Sequence, residues 1–282
     1  NDKKSLKNTI NAVVKSHLVS DVPVGLFLSG GLDSSIICAV ASKLYPQKLK
    51  TFSITYPNGA PAFDESKYSR IVAKLFNTEH FEIPFHMERF EISSSKALSF
   101  ISEPNADPTL ILNYYLSEFA SKHVKVVLSG LGADELFGGY NRYRAFLLTK
   151  MMKKYERIIG GTFQYFIGNI EKNRNSLIAN YIRGFDKIIN SFNKENPYHS
   201  MIDYFPPDDW NIPEGDFSNF DFNNLEDVMN FDFNNYMVNN LLYISDYMSM
   251  KSSLEIRVPF VSKEMYKYAL TINKKSNINI FQ

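Results

Sequence analysis

The chain has 282 residues, of which 44% are hydrophobic and 22% charged, and its formal net charge is +1 at pH 7. This balance gives no electrostatic basis for binding nucleic acid or an anionic membrane surface, so we expect neither as a partner. The single cysteine excludes an internal disulfide and a multi-cysteine metal site. A polar N-terminus without a signal-peptide pattern, and the lack of an apolar run near ~20 residues, predict a cytoplasmic protein without a membrane span.

Helical and strand patterns alternate through the first half of the chain. Apolar residues recur at helical spacing over residues 5–19, and a short apolar run at residues 24–28 predicts a buried strand. The pattern then predicts a helix at 33–45, strands at 49–56, 80–83 and 124–128, a helix at 64–76, and one or two helices between 88 and 122. Strands separated by helix-length segments indicate an α/β fold, a parallel sheet with helices on both faces.

The pattern changes after residue 139. Residues 141–205 are rich in Tyr, Phe, Lys and Asn, and we predict that they are mostly helical, as are residues 225–253 and 263–271. The sequence FDFNN occurs twice, at residues 220 and 231, and we interpret this as compositional bias. An 11-residue step would nevertheless place both copies on one face of a helix.

A loop of small residues, SGGLDSS, follows the first predicted strand and precedes a helix. This position brings free backbone N–H groups and the positive end of the helix to the strand's carboxyl end. Gly30 and Gly31 let an anion approach the backbone closely, and the loop adds three hydroxyl donors, Ser29, Ser34 and Ser35. Asp33 would repel phosphate unless a cation lay between them, so the loop predicts phosphate binding with Mg²⁺. The alternative is a glycine turn with Asp33 as an ordinary helix N-cap.

The same turn recurs one hundred residues later. Leu28-Ser29-Gly30 is repeated as Leu128-Ser129-Gly130, again after an apolar strand. Because the carboxyl ends of parallel strands meet at one edge of a sheet, we expect the two turns to lie together. Asp134 would then add a second carboxylate to the same metal, although Asp134-Glu135 also fits a solvated helix start. No lysine follows the glycines, so the loop is not a Walker A motif.

These residues resemble a known family. SGGLDSS resembles the pyrophosphatase loop of synthetases that cleave ATP between the α- and β-phosphates. Together with SGLGADELFGGYNRY and SMKSSLEIRVPF, the chain resembles the synthetase domain of glutamine-dependent asparagine synthetases, from about Leu6 to Thr271. FDESKYSRIVAKLFNTEHFE and EPNADP match in the same order. The resemblance implies an adenine nucleotide alpha-hydrolase-like (PP-loop) core at residues 1–140, continued within the same domain by residues 141–282.

The resemblance also implies an activity, that of a carbon–nitrogen ligase of amino-acid biosynthesis. Such a domain uses ATP and Mg²⁺ to adenylate a carboxylate, releases pyrophosphate, and lets ammonia displace AMP to form an amide. We therefore predict Asp33, Asp134 and Arg257 as catalytic residues, with Asp33 and Asp134 as metal ligands. For Arg257, an ion pair with Glu255 or a neighbour is an equal alternative. The predicted nucleotide-binding residues are Phe27, Leu28, Ser29, Gly30, Gly31, Leu32, Asp33, Ser34, Ser35, Ile54, Ser129 and Gly130.

Several positions depart from the family pattern. The family begins with a glutaminase domain that has a leading cysteine, whereas this chain starts with Asn1, so we expect the glutaminase to be a separate domain or subunit. Leu131 stands where asparagine synthetases carry glutamate, Glu118 stands about where they carry arginine, and Ser262 replaces an aspartate. The family's C-terminal lysine has no match before Gln282.

These departures leave three interpretations of the activity. Aspartate is the default acid, with asparagine as product. A related amidotransferase could instead act on a sugar acid, a peptide or a β-lactam precursor. The chain could also be a nucleotide-binding fragment that is inactive alone, and a homodimer is left open as its assembly.

Three other features carry weaker expectations. Cys38 lies among apolar residues of a predicted helix, and we expect it to pack in the core. Asp232 and Asp246 fall at family positions where a structural role and a chemical role are equally expected. The five histidines show no metal-ligand spacing.

Overall fold

The computed structural model describes residues 2–56, 64–103, 105, 107–153, 198 and 224–273 of the chain. Within these residues, five strands form one sheet in the order β3-β2-β1-β4-β5, and every neighbouring pair is parallel. The strands are β1 (Val24–Phe27), β2 (Lys50–Thr55), β3 (Glu79–Pro84), β4 (Val126–Leu128) and β5 (Glu255–Arg257).

Helices connect the strands and continue beyond them. The first seven are α1 (Asp2–His17), α2 (Leu32–Leu44), α3 (Ser66–Leu75), α4 (Met87–Phe100), α5 (Thr109–Ala120), α6 (Ala133–Phe137) and α7 (Asn141–Lys153). From residue 225 follow α8 (Leu225–Asn234), a π-helix (Met237–Leu242), α9 (Tyr243–Met250), a 3₁₀ turn (Pro259–Val261) and α10 (Lys263–Asn273). Among the helices that the structure describes, none has the length and apolar character needed to cross a membrane.

The chain divides into two compact units. The first comprises residues 1–136 and 235–275 and contains the whole sheet, whereas the second comprises residues 137–234 and 276–282. The described part of the second unit has its own core of aromatic and aliphatic side chains, Tyr143, Phe146, Tyr198, Val228, Met229 and Phe231.

One face of the sheet is built from matched aromatic residues. Phe27, Phe52 and Phe81 stand side by side on β1, β2 and β3, because the parallel register pairs Phe27 with Phe52 and Phe52 with Phe81. The rings of Phe52 and Phe81 stack with their centroids 5.3 Å apart. Phe119 and Ala120 of α5 pack on this face, which buries it from water and fixes α5 against the sheet.

The strand order creates a switch point between β1 and β4. The chain runs from β1 outward to β2 and β3, then returns past β1 to form β4 on its other side. Right-handed crossovers in these opposite directions place α2 and α5 on opposite faces of the sheet. Ligands of open α/β sheets bind in the crevice that this reversal leaves at the carboxyl edge.

The structure confirms the predicted α/β class, the parallel sheet and the alternation of strands and helices. The strand β5 was missed, since the sequence pattern predicts only a break between two helices there. The predicted helix at 225–253 contains an unpredicted π-helix, Met237–Leu242. Residues 154–197 and 199–223 lie outside the described residues, as do most of the predicted 141–205 helices and all but the last residue of the first FDFNN copy.

Candidate functional site

The loop between β1 and α2 is closed by its own hydroxyl groups. The Gly31 N–H donates to Ser29 Oγ at 3.1 Å, and the Ser34 and Ser35 hydroxyls donate to the Gly31 carbonyl at 3.2 and 2.6 Å. Ser29 Oγ lies 3.1 Å from Ser34 Oγ. The three serines therefore hold the shape of the loop in this structure, in addition to being predicted phosphate donors.

The start of α2 is left open toward an anion. Gly31 is the N-cap, and no side chain among the described residues caps the helix there, so the first N–H groups of α2 point out of its N-terminus. Gly30 has φ +90°, a left-handed conformation that favours glycine. A Cβ at Gly30 would lie 2.5 Å from the Ser69 nitrogen, so α3 packs directly against the loop. Asp33 lies inside the helix, which excludes the alternative of an ordinary N-cap at that residue.

The second Ser-Gly turn packs against the first, as the sequence predicted. A Cβ built on Gly130 would lie 3.0 Å from the Ser34 nitrogen and 3.2 Å from the Asp33 Cβ. Any side chain at position 130 would displace the first turn of α2. The parallel pairing of Leu26 with Leu128 places the ends of β1 and β4 within one residue of each other, and this register brings the two turns together at the switch point.

The two predicted carboxylates interact across this contact. Burial, and then the negative charge of Asp134, raise the pKa of the Asp33 carboxyl from 3.8 to about 6. A carboxylate that is half-buried beside a like charge is costly to ionise, and a divalent cation between the two would remove that cost. Asp33 and Asp134 thus form a pair suited to a hard cation.

The donor set at this pair fits Mg²⁺. Among the residues that the structure describes, no group of three or more His, Cys, Asp and Glu side chains is gathered as a metal site. Mg²⁺ is commonly held by one or two carboxylates, with substrate phosphate oxygens and water completing its shell. Asp33 and Asp134 would supply the protein's share of such a site.

Of the residues predicted to contact adenosine, some lie at the carboxyl edge of the sheet and one lies in the core. Phe27 and Ile54 are half-buried near the carboxyl ends of β1 and β2. Leu28 is only 1% exposed, its N–H donates to the Phe52 carbonyl, and its carbonyl accepts a hydrogen bond from the Ser53 hydroxyl. Leu28 therefore shapes the edge from within, and its contact with a nucleotide stays a prediction. Leu32, by contrast, is 75% exposed in the first turn of α2.

Arg257 is engaged by partners other than the carboxylate pair. Its Nε donates to Glu255 Oε1 at 2.7 Å, and its Nη1 donates to the carbonyls of His17 and Val19 at 2.8 and 2.7 Å. These bonds match the ion-pair alternative that the sequence left open. Its main-chain carbonyl accepts from the Ser129 N–H at 2.9 Å, so β5 supports the second turn through the backbone. A catalytic role for Arg257 stays a prediction.

The structure shows the surroundings of two residues that depart from the family pattern, Leu131 and Glu118. Leu131 is half-buried in the loop that carries Asp134. Glu118 accepts a hydrogen bond from the Tyr114 hydroxyl at 3.2 Å and lies 3.5 Å from the Lys96 ammonium.

Cys38 is fully buried as expected, and burial raises the pKa of its thiol to about 12, which makes it a packing residue.

A buried cluster around Asp232 was not predicted. In the second unit, Asp232 Oδ2 accepts hydrogen bonds from Arg142 Nε and Nη2 at 3.0 and 2.8 Å, from Tyr143 at 2.7 Å, and from Tyr198. Burial, followed by the charge of Asp232, raises the pKa of both tyrosines, which keeps them protonated as donors. The partners lie far apart in sequence, and no local spacing reveals them.

Comparison with known proteins gives one consistent family. The family model described as asparagine synthase matches residues 5–280. The chain is 33% identical over 288 residues to asparagine synthetase (glutamine-hydrolyzing) 1 of Bacillus subtilis, covering 95% of this chain and 43% of that protein. It is 33% identical to asparagine synthetase B (glutamine-hydrolyzing) of Escherichia coli, over 49% of this chain and 27% of that protein.

A plant relative matches over a similar length. Asparagine synthetase (glutamine-hydrolyzing) 3 of Arabidopsis thaliana is 32% identical over 48% of this chain and 25% of that protein. The chain thus spans less than half the length of the curated relatives that it matches.

Proposed function

Because the chain belongs to the asparagine synthase family, we propose that it is an ATP-dependent carbon–nitrogen ligase that converts a carboxylate to an amide. The acceptor carboxylate attacks the α-phosphorus of ATP, the α–β bridging P–O bond breaks, and pyrophosphate leaves. Ammonia then attacks the acyl carbon, the acyl C–O bond breaks, a proton is lost, and AMP leaves with that oxygen.

The observation that carries this proposal is the meeting of two Ser-Gly turns at the sheet's switch point. Gly130 lies so close to Asp33 and Ser34 that a side chain there would force one of the two turns to shift. Backbone N–H groups at the start of α2 and the two carboxylates therefore lie at one place. A triphosphate held there would meet anion donors on one side and carboxylates that need a cation on the other.

The chain's own residues divide the work. The loop over residues 29–35 would bind and orient the phosphates through the N-terminus of α2, and its glycines let them approach the backbone. Asp33 and Asp134 would hold Mg²⁺, which when bound neutralises the charge that develops on the leaving pyrophosphate. Phe27 and Ile54 would exclude water beside the nucleoside.

The nitrogen source and the compartment follow as parts of the proposal. The names of the relatives describe glutamine hydrolysis, and this chain matches less than half of their length. We therefore assign the release of ammonia to a glutaminase domain or subunit other than residues 1–282. The single buried cysteine is typical of a reducing compartment, which favours the cytoplasm.

Aspartate is the default acceptor acid, and a different acid is the second candidate. Leu131 favours the second, because a leucine three residues before Asp134 can neither accept a proton nor hydrogen-bond an attacking amine. A sugar acid, a peptide or a β-lactam precursor would then replace aspartate.

Product analysis tests the function and separates the acids. The full protein is incubated with Mg-ATP, ammonium and one acid at a time, and AMP with pyrophosphate is resolved from ADP with phosphate. We expect AMP and pyrophosphate with one acid class only. Asp33→Asn should lower that rate by about 10²–10³-fold, since it removes charge stabilisation at the leaving group.

Asp21→Asn makes the same chemical change on an exposed residue before β1 and should leave the rate unchanged. ADP and phosphate as products would contradict cleavage at the α–β bond. AMP with another acid but none with aspartate would exclude asparagine synthesis. Mg-dependent ATP binding without turnover would indicate a nucleotide-binding fragment.

A further inference from the structure

Three polar residues form a closed ring of hydrogen bonds between the turn before α5 and the π-helix. Asn105 Nδ2 donates to Asn240 Oδ1 at 3.1 Å, and Asn240 Nδ2 donates to Asp107 Oδ2 at 2.8 Å. The Asp107 main-chain N–H donates to Asn105 Oδ1 at 2.8 Å and closes the ring. All three residues are half-buried. Each amide oxygen and nitrogen of the two asparagines is thus used.

The carboxylate gives this ring a single direction. An ionised aspartate only accepts hydrogen bonds, so Asn240 must turn its NH₂ group toward Asp107 and its carbonyl toward Asn105. The other oxygen of Asp107 accepts the Thr109 N–H at 2.9 Å, which holds the first turn of α5. The ring therefore specifies one arrangement of the π-helix relative to the start of α5.

The ring lies at the carboxyl edge of the sheet. The helix α5 leads into the amino end of β4, so its own N-terminus lies at the opposite, carboxyl edge. The Tyr115 hydroxyl in α5 donates to the carbonyl of Pro84, the last residue of β3, at 2.9 Å, which agrees with this placement. Because α2 and α5 lie on opposite faces, the ring stands across the crevice from the phosphate loop.

The π-helix also packs against the loop that follows the second Ser-Gly turn. A Cβ built on Gly132, which has φ +95°, would lie 3.5 Å from the Met237 Cε and 2.6 Å from the Val261 Cγ2. Met237 and Asn240 belong to the same π-helix, so one helical element touches the loop that carries Leu131 and Asp134 and also completes the ring. π-helical turns are rare and occur often at functional sites.

We propose that Asn240 is a positioning residue for the ligase reaction, an inference that rests on the function proposed above. The ring fixes the turn at the start of α5 as one wall of the crevice, and that wall holds the acceptor acid in line with the α-phosphorus. Asn240 acts through Asp107, Asn105 and the π-helix and does not take part in the chemistry.

A reciprocal exchange of the two side chains tests this role. Asn240→Asp places a second carboxylate against Asp107, so two acceptors of like charge face each other. In Asp107→Asn, the amide oxygen is retained by the Thr109 N–H, so its NH₂ meets the NH₂ of Asn240. In the double variant Asp107→Asn/Asn240→Asp, the carboxylate at position 240 accepts from both flanking amides, and every hydrogen bond of the ring is restored.

The expected result is a loss and rescue of kcat/KM for the acceptor acid, while the affinity for Mg-ATP stays unchanged. A hydrogen bond to a charged group is worth about 1.5–3 kcal/mol, so each single variant should lose about 10- to 100-fold in kcat/KM for the acceptor acid. The double variant should recover to within about threefold of the unmodified protein. The Kd for Mg-ATP should stay within about threefold in all variants, because the phosphate loop is untouched.

Asn239→Asp supplies the matched control, since Asn239 is the exposed neighbour in the same π-helix and should behave as the unmodified protein. The proposal is overturned if kcat/KM of the double variant stays as low as that of the less active single variant. It is also overturned if Mg-ATP affinity falls in parallel with kcat/KM.

Failure of the proposed function has a different signature. In that case the unmodified protein forms no AMP with any acid, and the positioning role is overturned with it. A melting-temperature cycle on the same four proteins would still show whether the ring forms.

Discussion

Two acidic sites in this chain have opposite electrostatic surroundings. In the second unit, Asp232 is fully buried, and an arginine and two tyrosines donate to its Oδ2. In the first unit, Asp33 is half-buried beside Asp134, and the pKa of its carboxyl is raised to about 6 by burial and by that like charge. One carboxylate has its counter-charge inside the protein, whereas the other faces more negative charge.

The difference distinguishes a structural acid from a ligand-binding acid. A charge compensated by Arg142 holds its surroundings together, since removing the carboxylate charge breaks a buried ion pair. A charge set against Asp134 costs free energy to ionise, and a bound cation would compensate it. The two sites should therefore respond in opposite ways to loss of the carboxylate.

The largest expected effect is at Asp232. Asp232→Asn keeps the shape of the side chain but removes the carboxylate charge that pairs with Arg142, whose side chain is 23% exposed. We expect the free energy of unfolding to fall by about 3 kcal/mol or more. Denaturant unfolding of the full protein measures it, with separate probes for each unit where the transitions separate.

Asp227→Asn is the matched control for this prediction. It makes the same chemical change on the same helix, α8, at a residue with no buried partner among those that the structure describes, and should cost less than about 1 kcal/mol. Equal losses in the two variants would show that Asp232 contributes nothing beyond an ordinary helix residue.

The next effect concerns the approach of the two carboxylates. Gly130→Ala adds a methyl group 3.0 Å from the Ser34 nitrogen and 3.2 Å from the Asp33 Cβ, so one turn must move. We expect Mg-ATP affinity to fall about 10- to 100-fold, because overpacking costs about 1–3 kcal/mol and separates the two loops. Calorimetric titration with Mg-ATP measures the change.

Gly139→Ala, at an exposed glycine beyond α6, is expected to bind Mg-ATP as the unmodified protein does. Unchanged affinity in Gly130→Ala would mean that the second turn takes no part in the nucleotide site.

The smallest effect is a pH dependence of stability. The pKa of Asp33 is raised in the folded chain from 3.8 to about 6, so between these values the folded state binds more protons than the unfolded state. Stability should therefore fall as pH rises through this window. Because water screens a half-exposed carboxyl, we expect a contribution of only about 2 °C in melting temperature. The difference in melting temperature between the unmodified protein and Asp33→Asn, followed against pH, isolates the contribution of Asp33. Above pH 6, Asp33→Asn should melt at a temperature no lower than that of the unmodified protein.

Much of the phosphate loop could be predicted from the sequence, because the residues that indicate it are close together in the chain. The repeat of Leu-Ser-Gly at residues 28 and 128, together with the rule for parallel strands, predicted a contact that the structure confirms at Gly130. Serines, glycines and an aspartate at a strand end point to an anion and a cation without knowledge of distant residues. The strand β5 carried no such signal, since Glu255–Arg257 is three residues long with a single apolar side chain.

Sites assembled from distant residues could not be predicted in this way. Asp232 bonds Arg142 across 90 residues, and Asn105 bonds Asn240 across 135 residues. Polar residues in a helical pattern are ordinarily solvated, so nothing in the sequence distinguishes Asn240 from the exposed Asn239. Arg257 shows the same limit, because its carbonyl partners are the last residue of α1 and a residue just after it, 240 and 238 residues away.

The most direct test of the central claim follows one oxygen atom. The full protein is supplied with Mg-ATP, ammonium and an acceptor acid labelled with ¹⁸O in its carboxylate. The masses of the products are then measured by mass spectrometry. Adenylation at the Asp33–Asp134 site predicts one ¹⁸O in AMP and none in pyrophosphate, because the acyl C–O bond breaks when ammonia attacks. Label in inorganic phosphate, with ADP as the nucleotide product, would contradict attack at the α-phosphorus.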